Sequence, residues 1–349
     1  MKLGLAGFPQ TGKRTLFKLL TGQDGAPGSL GVARVRDQRL NNLAALYNPE
    51  KVVPAIMDFV LLPDLDTDAQ HNAAALKGLE SVDVICHLIR AFADDTVFHI
   101  CGEVDARRDA HSFAEELLLN DLLFVEKRLE RLEKERGKKD DARSKAELVL
   151  LPRVQEHLEA NAPLSAFTFT EEEEKLVSSY PLLTRKSLLI VLNVGEDQLS
   201  SSELLYPLET HFAEWNFKAL AVSAKIEEEL TQLDEEERRG FLEDLGLDSP
   251  ALDRLTQLCY ESLGLISFFT VGEDEVRAWA VRRDALAPEA GRAIHTDIEK
   301  GFIRVEVVKY EDLIELGDWQ KAKETGKLQQ KGRDYATLDG DVMQFLFKV

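Results

Sequence analysis

A glycine-rich loop near the start of the chain constrains the fold more than any other feature. A short apolar run at residues 2–7 leads into Gly-Phe-Pro-Gln-Thr-Gly-Lys-Arg-Thr at residues 7–15. From Arg14 onward, apolar residues recur at the spacing of one helix face. A strand, a glycine loop and a helix in this order form the context of a phosphate-binding loop. The feature therefore predicts an α/β domain in which this loop joins the first strand to the first helix.

Further buried runs extend this pattern along the chain. They lie at residues 55–62, 82–90, 187–193 and 218–223, with helical stretches between them. Alternating strands and helices predict a mainly parallel sheet with both faces covered.

Two regions depart from the alternation. Residues 113–160 show long helical periodicity with a polar break at 137–141, which predicts an inserted helical hairpin. Thr170, followed by four glutamates, is typical of a helix N-cap. Beyond residue 264, short apolar runs separated by turns predict a small β-rich domain.

Composition limits the class of protein. Hydrophobic residues make up 44% and charged residues 30%, as in soluble globular proteins. No apolar run approaches the ~20 residues that cross a bilayer. The three cysteines lack metal-ligand spacing, which favours a reducing compartment, the cytoplasm.

The charge is unevenly distributed. A net charge of −20 argues against nucleic-acid binding by the whole surface. Residues 127–145 are instead positively charged, with nine Lys or Arg against five Asp or Glu.

The loop itself predicts which atoms would hold phosphate. Gly7 and Gly12 allow backbone N–H groups around Gln10 and Thr11 to converge on phosphate oxygens, and Lys13 would contact the terminal phosphates. Arg14 occupies the position where a Ser or Thr normally holds magnesium. It would either reach the phosphates and replace part of the metal's charge or point into solvent. Thr15 is the remaining candidate magnesium ligand, one place later than usual.

Three motifs near the C-terminus carry a family resemblance. Residues 275–279 (Glu-Val-Arg-Ala-Trp), 294–304 and 340–343 (Gly-Asp-Val-Met) resemble the TGS domain of the YchF or Obg-like ATPase family. The resemblance extends over nearly the whole chain. It implies a Rossmann-like P-loop domain (1–112 and 183–263), an inserted coiled-coil hairpin (113–182) and a C-terminal TGS domain of the β-grasp type (264–349).

The resemblance also implies a base-binding site. GTPases carry Asn-Lys-x-Asp after a buried strand, whereas the Obg-like family carries Asn-x-x-Glu and prefers ATP. Asn193 and Glu196 match the second pattern and, with Val194, would hold adenine. Ser223 and Ala224 resemble the accompanying base-binding loop.

Other family elements are altered. The family has an Asp-x-x-Gly switch after the strand at 55–60, but Leu61 and Asp64 stand in the Asp and Gly positions. The first switch, which should offer a magnesium-binding Thr, is reduced to residues 22–29. Together with Arg14, three elements of magnesium or γ-phosphate chemistry differ from the family.

Two family roles can be assigned, each beside a simpler interpretation. The family positions the attacking water with a histidine, which places His99 in that role; a lone histidine is more often only a hydrogen-bonded side chain. The basic hairpin resembles the family's arm, which with the TGS domain would wall a groove for RNA or the ribosome. By charge pattern alone it is a solvated helical face.

These observations predict a cytoplasmic, monomeric protein that binds ATP or ADP and interacts with the ribosome or RNA. Whether it is still an enzyme is open, because hydrolysis is expected to be weak or lost, and magnesium binding is left in question. The alternative is a nucleotide-independent scaffold that acts through the hairpin and the TGS domain.

Overall fold

A computed structural model describes residues 2–135, 141–199 and 202–348. The chain divides into two compact units. The first comprises Met1–Gly31 and Asp58–Leu252, and the second comprises Val32–Met57 and Asp253–Val349. The boundaries drawn from the sequence differ, since they count residues 32–57 with the first domain.

The secondary structure alternates as the sequence predicts. The strands are β1 (Lys2–Ala6), β2 (Leu30–Arg34), β3 (Lys51–Val53), β4 (Ile56–Leu61), β5 (Val84–Arg90), β6 (Ser187–Asn193), β7 (Phe217–Val222), β8 (Leu265–Thr270), β9 (Glu275–Arg282), β10 (Phe302–Lys309), β11 (Gln329–Lys331) and β12 (Asp341–Phe347). The helices are α1 (Lys13–Thr21), α2 (Gln38–Tyr47), α3 (Ala73–Glu80), α4 (Ala106–Glu135), α5 (Ala142–Glu159), α6 (Glu171–Val177), α7 (Tyr206–His211), α8 (Ala224–Leu230), α9 (Glu235–Asp244), α10 (Ala251–Ser262), α11 (Ala287–Ile294), α12 (Thr296–Lys300), α13 (Tyr310–Leu316) and α14 (Trp319–Glu324).

The first sheet has the order β2-β4-β1-β5-β6-β7. Strand β1 lies parallel to β4 and β5, and β5, β6 and β7 continue in parallel. All seven residues of β5 and six of the seven in β6 are buried, because helices cover both faces of a parallel sheet. The α/β fold class is confirmed.

The register of this sheet brings the candidate site together. Ala6 at the end of β1 pairs with His87, Arg90 at the end of β5 pairs with Asn193, and Asn193 pairs with Val222. The glycine loop, Asn193 and the residues after β7 therefore follow the carboxyl ends of neighbouring strands. Ligands of open α/β sheets bind at this edge.

The predicted helical hairpin is present. Helices α4 and α5 bury a stripe that includes Val125, Leu132, Leu151 and Val154. Helix α4 begins at Ala106, seven residues before the expected start at 113. The polar break at 137–141 lies outside the described residues except for Asp141, which caps α5. Thr170 caps α6 with a capping box, as its sequence predicts.

The second unit contains a separate sheet of order β11-β10-β12-β8-β9-β3. Strands β8 and β9 are antiparallel, as are β10 and β12. Strand β3 lies parallel to β9, with Lys51 opposite Glu275 and Val53 opposite Arg277. The sequence did not predict β2, β3 or β11, nor the helices α11–α14 that accompany these strands.

Within the described part of the chain, no helix is both long and apolar enough to cross a membrane.

Candidate functional site

The loop at residues 7–15 adopts a conformation that depends on its glycines. Gly7, Gln10 and Gly12 all have positive φ angles, of 153°, 62° and 93°. A Cβ on Gly7 would lie 2.4 Å from the carbonyl oxygen of Leu88, and one on Gly12 would lie 2.5 Å from Nδ2 of Asn193. Both positions therefore exclude a side chain, because a Cβ would collide with neighbouring protein atoms.

Thr11 and Lys13 are buried inside this loop. The Thr11 hydroxyl donates a hydrogen bond to the carbonyl of Phe8 at 3.0 Å. Lys13 is the first residue of α1, so the unpaired N–H groups of the first helical turn surround it. A phosphate here would meet both these donors and the positive end of the helix dipole.

Lys13 already has several partners. Its Nζ donates to the carbonyls of Gly7 at 2.8 Å and Pro63 at 3.1 Å, and it lies 2.9 Å from Oδ1 of Asp64. The Lys13 side chain is 4% exposed, whereas that of Asp64 is 46% exposed. Burial lowers the pKa of Lys13, and the Asp64 carboxylate counteracts part of that shift.

Asn193 connects the phosphate loop to the candidate base-binding loop. Its Nδ2 donates to the Thr11 carbonyl at 2.9 Å, and its Oδ1 accepts from the backbone N–H of Ala224 at 3.0 Å. Asn193 is 6% exposed, so both bonds are shielded from water. The structure thus brings together three of the sequence motifs: residues 7–15, Asn193 and residues 223–224.

The other candidate base-binding residues differ in how exposed their side chains are. Ser223 is buried and its hydroxyl caps α8. The Val194 side chain packs in the core and its N–H bonds to the Val222 carbonyl. Glu196, in contrast, is exposed at the start of a short 3-10 turn. Of the Asn-Val-Gly-Glu motif, Glu196 is the residue with an exposed charged side chain.

The usual magnesium positions do not fit the ion. Arg14 is exposed and carries no ligating oxygen, and Leu61 is 1% exposed with an apolar side chain. Thr15 is half-buried within α1. Within residues 2–135, 141–199 and 202–348, no group of three or more His, Cys, Asp or Glu side chains is arranged to hold a metal ion. Mg²⁺ requires oxygen ligands, and the side chains of Arg14 and Leu61 provide none.

His99 lies in the loop between β5 and α4 and is 3% exposed. Its Nδ1 accepts from the N–H of Cys101 at 3.2 Å, and its Nε2 lies 3.0 Å from Oδ2 of Asp109. Arg90, which is 1% exposed, donates to carbonyls within residues 92–97 and holds the start of the loop. In this conformation both ring nitrogens of His99 have neighbours inside the protein.

The sequence did not predict the contact between Asp64 and Lys13. The position was recognised as an alteration of the second switch, but only as the loss of a glycine. The sequence feature that could have indicated this contact is the acidic residue itself, in a loop that is expected to lie near the phosphate-loop lysine.

Comparison with known proteins finds relatives that match this chain over nearly its full length. The chain is 39% identical to the "Ribosome-binding ATPase YchF" of Bacillus subtilis, covering 99% of each chain. It is 37% identical to the protein of that name from Haemophilus influenzae, covering 100% of this chain and 99% of the relative. This chain belongs to the YchF family.

Other proteins of the YchF family also match this chain. "Obg-like ATPase 1" of Caenorhabditis elegans is 35% identical, over 99% of this chain and 92% of that one. The family model YchF-GTPase_C, described as a protein of unknown function, matches residues 265–348. The solved structure of the Schizosaccharomyces pombe YchF GTPase has a TM-score of 0.87 at 29% identity, covering 99% of this chain and 97% of that one. The predicted YchF or Obg-like resemblance is thus confirmed.

Proposed function

We propose that this YchF-family chain binds an adenine nucleotide at residues 7–15. The observation that carries the proposal is the buried Lys13, which lies at the start of α1 behind two glycines whose Cβ positions are blocked. This arrangement presents a cation and several N–H donors to a phosphate chain. Relatives named as ribosome-binding ATPases support the same function.

The base specificity follows from Asn193 and Glu196. Asn193 uses its side chain to join the two loops, so Glu196 supplies the exposed polar group. A carboxylate accepts hydrogen bonds from base amines, which adenine and guanine both carry, so the choice between them rests on the resemblance of Asn-x-x-Glu to the Obg-like ATPases, which implies ATP. We therefore expect ATP to bind more tightly than GTP.

We further propose that hydrolysis is slow or absent. Arg14 and Leu61 cannot ligate Mg²⁺, and His99 has both ring nitrogens close to protein groups. Phosphoryl transfer depends on charge neutralisation and on positioning of the nucleophile. For His99 to orient a water molecule, the loop that contains it would have to move.

Calorimetric titration tests the binding proposal. ATP should bind with a measurable Kd that changes little when Mg²⁺ is omitted, and GTP should bind more weakly. Lys13→Ala should abolish binding, whereas Lys18→Ala, which removes an exposed lysine of the same helix, should not. Tighter binding of GTP than of ATP would contradict the base assignment.

An ATPase assay on the same proteins tests the second part. Wild type should show turnover no faster than Lys13→Ala, with and without Mg²⁺. Turnover in wild type that disappears in Lys13→Ala would show that the chain is a working enzyme.

Contact with the ribosome or RNA is the proposed partner interaction, and we further propose that the protein is a cytoplasmic monomer. The basic hairpin is the candidate surface, but part of its charge is already paired: Arg128 and Arg143 both contact the buried Glu147. Co-sedimentation with ribosomes in the presence of ATP, ADP or no nucleotide tests this partner. Absence from the ribosomal pellet in all three states would contradict it.

A nucleotide-independent scaffold remains the second candidate, and one observation favours it. Lys13 has a carboxylate and backbone carbonyls of the protein itself as partners. Ribosome binding that is equal in wild type and Lys13→Ala, together with no nucleotide binding, would support the scaffold.

A further inference from the structure

The loop that follows β4 brings a negative charge to the phosphate-binding lysine. Asp64 Oδ1 lies 2.9 Å from Nζ of Lys13, within the range of a charge-assisted hydrogen bond. In P-loop proteins the loop after this strand is a switch that contacts the γ-phosphate. Asp64 therefore reaches Lys13 from the side on which a third phosphate would lie.

The contact belongs to a buried arrangement. Lys13 is 4% exposed and also donates to the carbonyls of Gly7 and Pro63. A buried ammonium needs such partners, because burial disfavours its charge. Since the Asp64 side chain is 46% exposed, it can leave Lys13 for water without unfolding its surroundings.

The negative charge of Asp64 affects nucleotides differently according to how many phosphates they carry. A terminal phosphate that takes the place beside Lys13 must either displace Asp64 or lie against its carboxylate. Like charges at such a distance repel, and the low polarity around a buried group strengthens the effect. Neither Arg14 nor Leu61 offers an oxygen ligand that could hold a Mg²⁺ ion between the two negative charges.

We propose that Asp64 occupies the place of the γ-phosphate at Lys13 and makes this chain selective for nucleoside diphosphates over triphosphates. This inference rests on the proposed nucleotide binding at residues 7–15. A diphosphate can reach the loop N–H groups and Lys13 while Asp64 stays in place. A triphosphate binds only after the carboxylate has moved away.

Two substitutions test the role of Asp64. Asp64→Asn removes the charge at nearly constant shape, and Asp64→Gly restores the residue that the family's Asp-x-x-Gly pattern has there. The matched control is Asp244→Asn, because Asp244 is an exposed aspartate at the end of α9, outside the phosphate loop and both switches.

The measurement is the ratio of the Kd for ATP to the Kd for ADP, determined by calorimetry without Mg²⁺. Wild type should bind ADP about tenfold more tightly than ATP, which corresponds to about 1.4 kcal/mol. Both Asp64 variants should lower this ratio about tenfold through tighter ATP binding, and Asp244→Asn should leave it within about twofold. A ratio is insensitive to a general loss of folded protein, which affects both ligands equally.

The outcomes separate the two proposals. If wild type and the Asp64 variants bind both nucleotides with the same ratio, Asp64 does not select and the inference is wrong, while nucleotide binding stands. If Asp64→Asn weakens ATP binding specifically, Asp64 helps to hold the nucleotide, and the inference is again wrong. If neither wild type nor any variant binds ATP or ADP, the proposed function itself fails.

Discussion

At the scale of single residues, Asn193 shows how a motif for base recognition also serves the fold. Its amide makes two buried hydrogen bonds, to the Thr11 carbonyl and from the Ala224 N–H. Removing the amide leaves a buried acceptor and a buried donor unpaired, and each costs about 1–3 kcal/mol. We expect Asn193→Ala to lower the free energy of unfolding by about 2–4 kcal/mol and to weaken nucleotide binding.

Urea denaturation and calorimetric titration measure the two effects. Asn216→Ala is the matched control, because Asn216 is exposed and its Nδ2 bonds to a side-chain hydroxyl, that of Ser187. Its loss should change stability by no more than about 0.5 kcal/mol. Equal effects of the two substitutions would show that the bridge between the loops is unimportant.

His87 gives a prediction for the dependence of stability on pH. It is fully buried in β5, and neither ring nitrogen has a hydrogen-bond partner among the residues that the structure describes. Burial, with a smaller contribution from the charge of Lys13, lowers the pKa of His87 to about 3. Above the unfolded pKa of about 6.5 the ring is neutral in both states and has no effect. Below it, only the unfolded chain takes up the proton, so stability is lost as the pH falls.

The expected loss is about 2–3 kcal/mol between pH 7 and pH 4.5, because each unit of difference is worth about 1.4 kcal/mol. His87→Leu should remove this part of the pH dependence in urea denaturation, and the exposed His71→Leu should leave it in place. The same slope in His87→Leu as in wild type would contradict the assignment.

The residue scale also shows the limits of sequence reasoning. Lys13 is predicted by the Gly-x-x-x-x-Gly-Lys motif, and Asn193 by the family resemblance that gives its Asn-x-x-Glu motif a meaning. The pairing of Lys13 with Asp64 joins residues 51 positions apart and depends on how one irregular loop folds back. The burial of His99 against Asp109 likewise depends on the loop held by Arg90, which no local pattern describes.

At the scale of secondary-structure elements, predictability follows burial. Strands β5 and β6 were recognised because covered strands are continuous apolar runs. In β3, by contrast, two of the three residues are exposed, so its sequence carries no comparable signal. The hairpin was recognised from its helical periodicity, although the residues that anchor it were not.

Asp121 is one of these anchors. This residue of α4 is fully buried, and its carboxylate accepts hydrogen bonds from the N–H groups of Leu183 and Thr184 at 2.8 Å each. It thereby connects α4 to the segment just before β6. Asp121→Ala leaves both donors unpaired and should lower the free energy of unfolding by about 3 kcal/mol.

Hydrogen exchange locates the effect of Asp121→Ala. The amides of Leu183 and Thr184 should exchange faster, while those of β1 keep their protection. Glu133→Ala, an exposed position on the same helix, is the control and should change neither. Unchanged exchange at residues 183–184 would show that the anchor contributes little.

At the scale of the whole molecule, the second unit is built from two distant parts of the chain. Helix α2 packs against β9 and α13, and β3 adds a strand to the edge of the sheet beside β9. Leu40 and Leu43 of α2 are 3% and 0% exposed. The change to short apolar runs separated by turns draws the boundary at residue 264 and does not reveal this early segment.

Removing residues 264–349 distinguishes the domain boundary drawn from the sequence from the two units seen in the structure. If the boundary drawn from the sequence were sufficient, the remaining chain would keep all of its structure. Because β9 and α13 would be lost, we expect the amides of α2 to exchange rapidly and the shortened protein to expose Leu40 and Leu43. The amides of α1 should remain protected, since α1 packs within the first unit. The full-length Leu43→Ala variant serves as a control for local damage: it should cost about 2–5 kcal/mol yet leave α2 folded. Full protection of α2 after the truncation would mean that residues 32–57 fold without the C-terminal sheet.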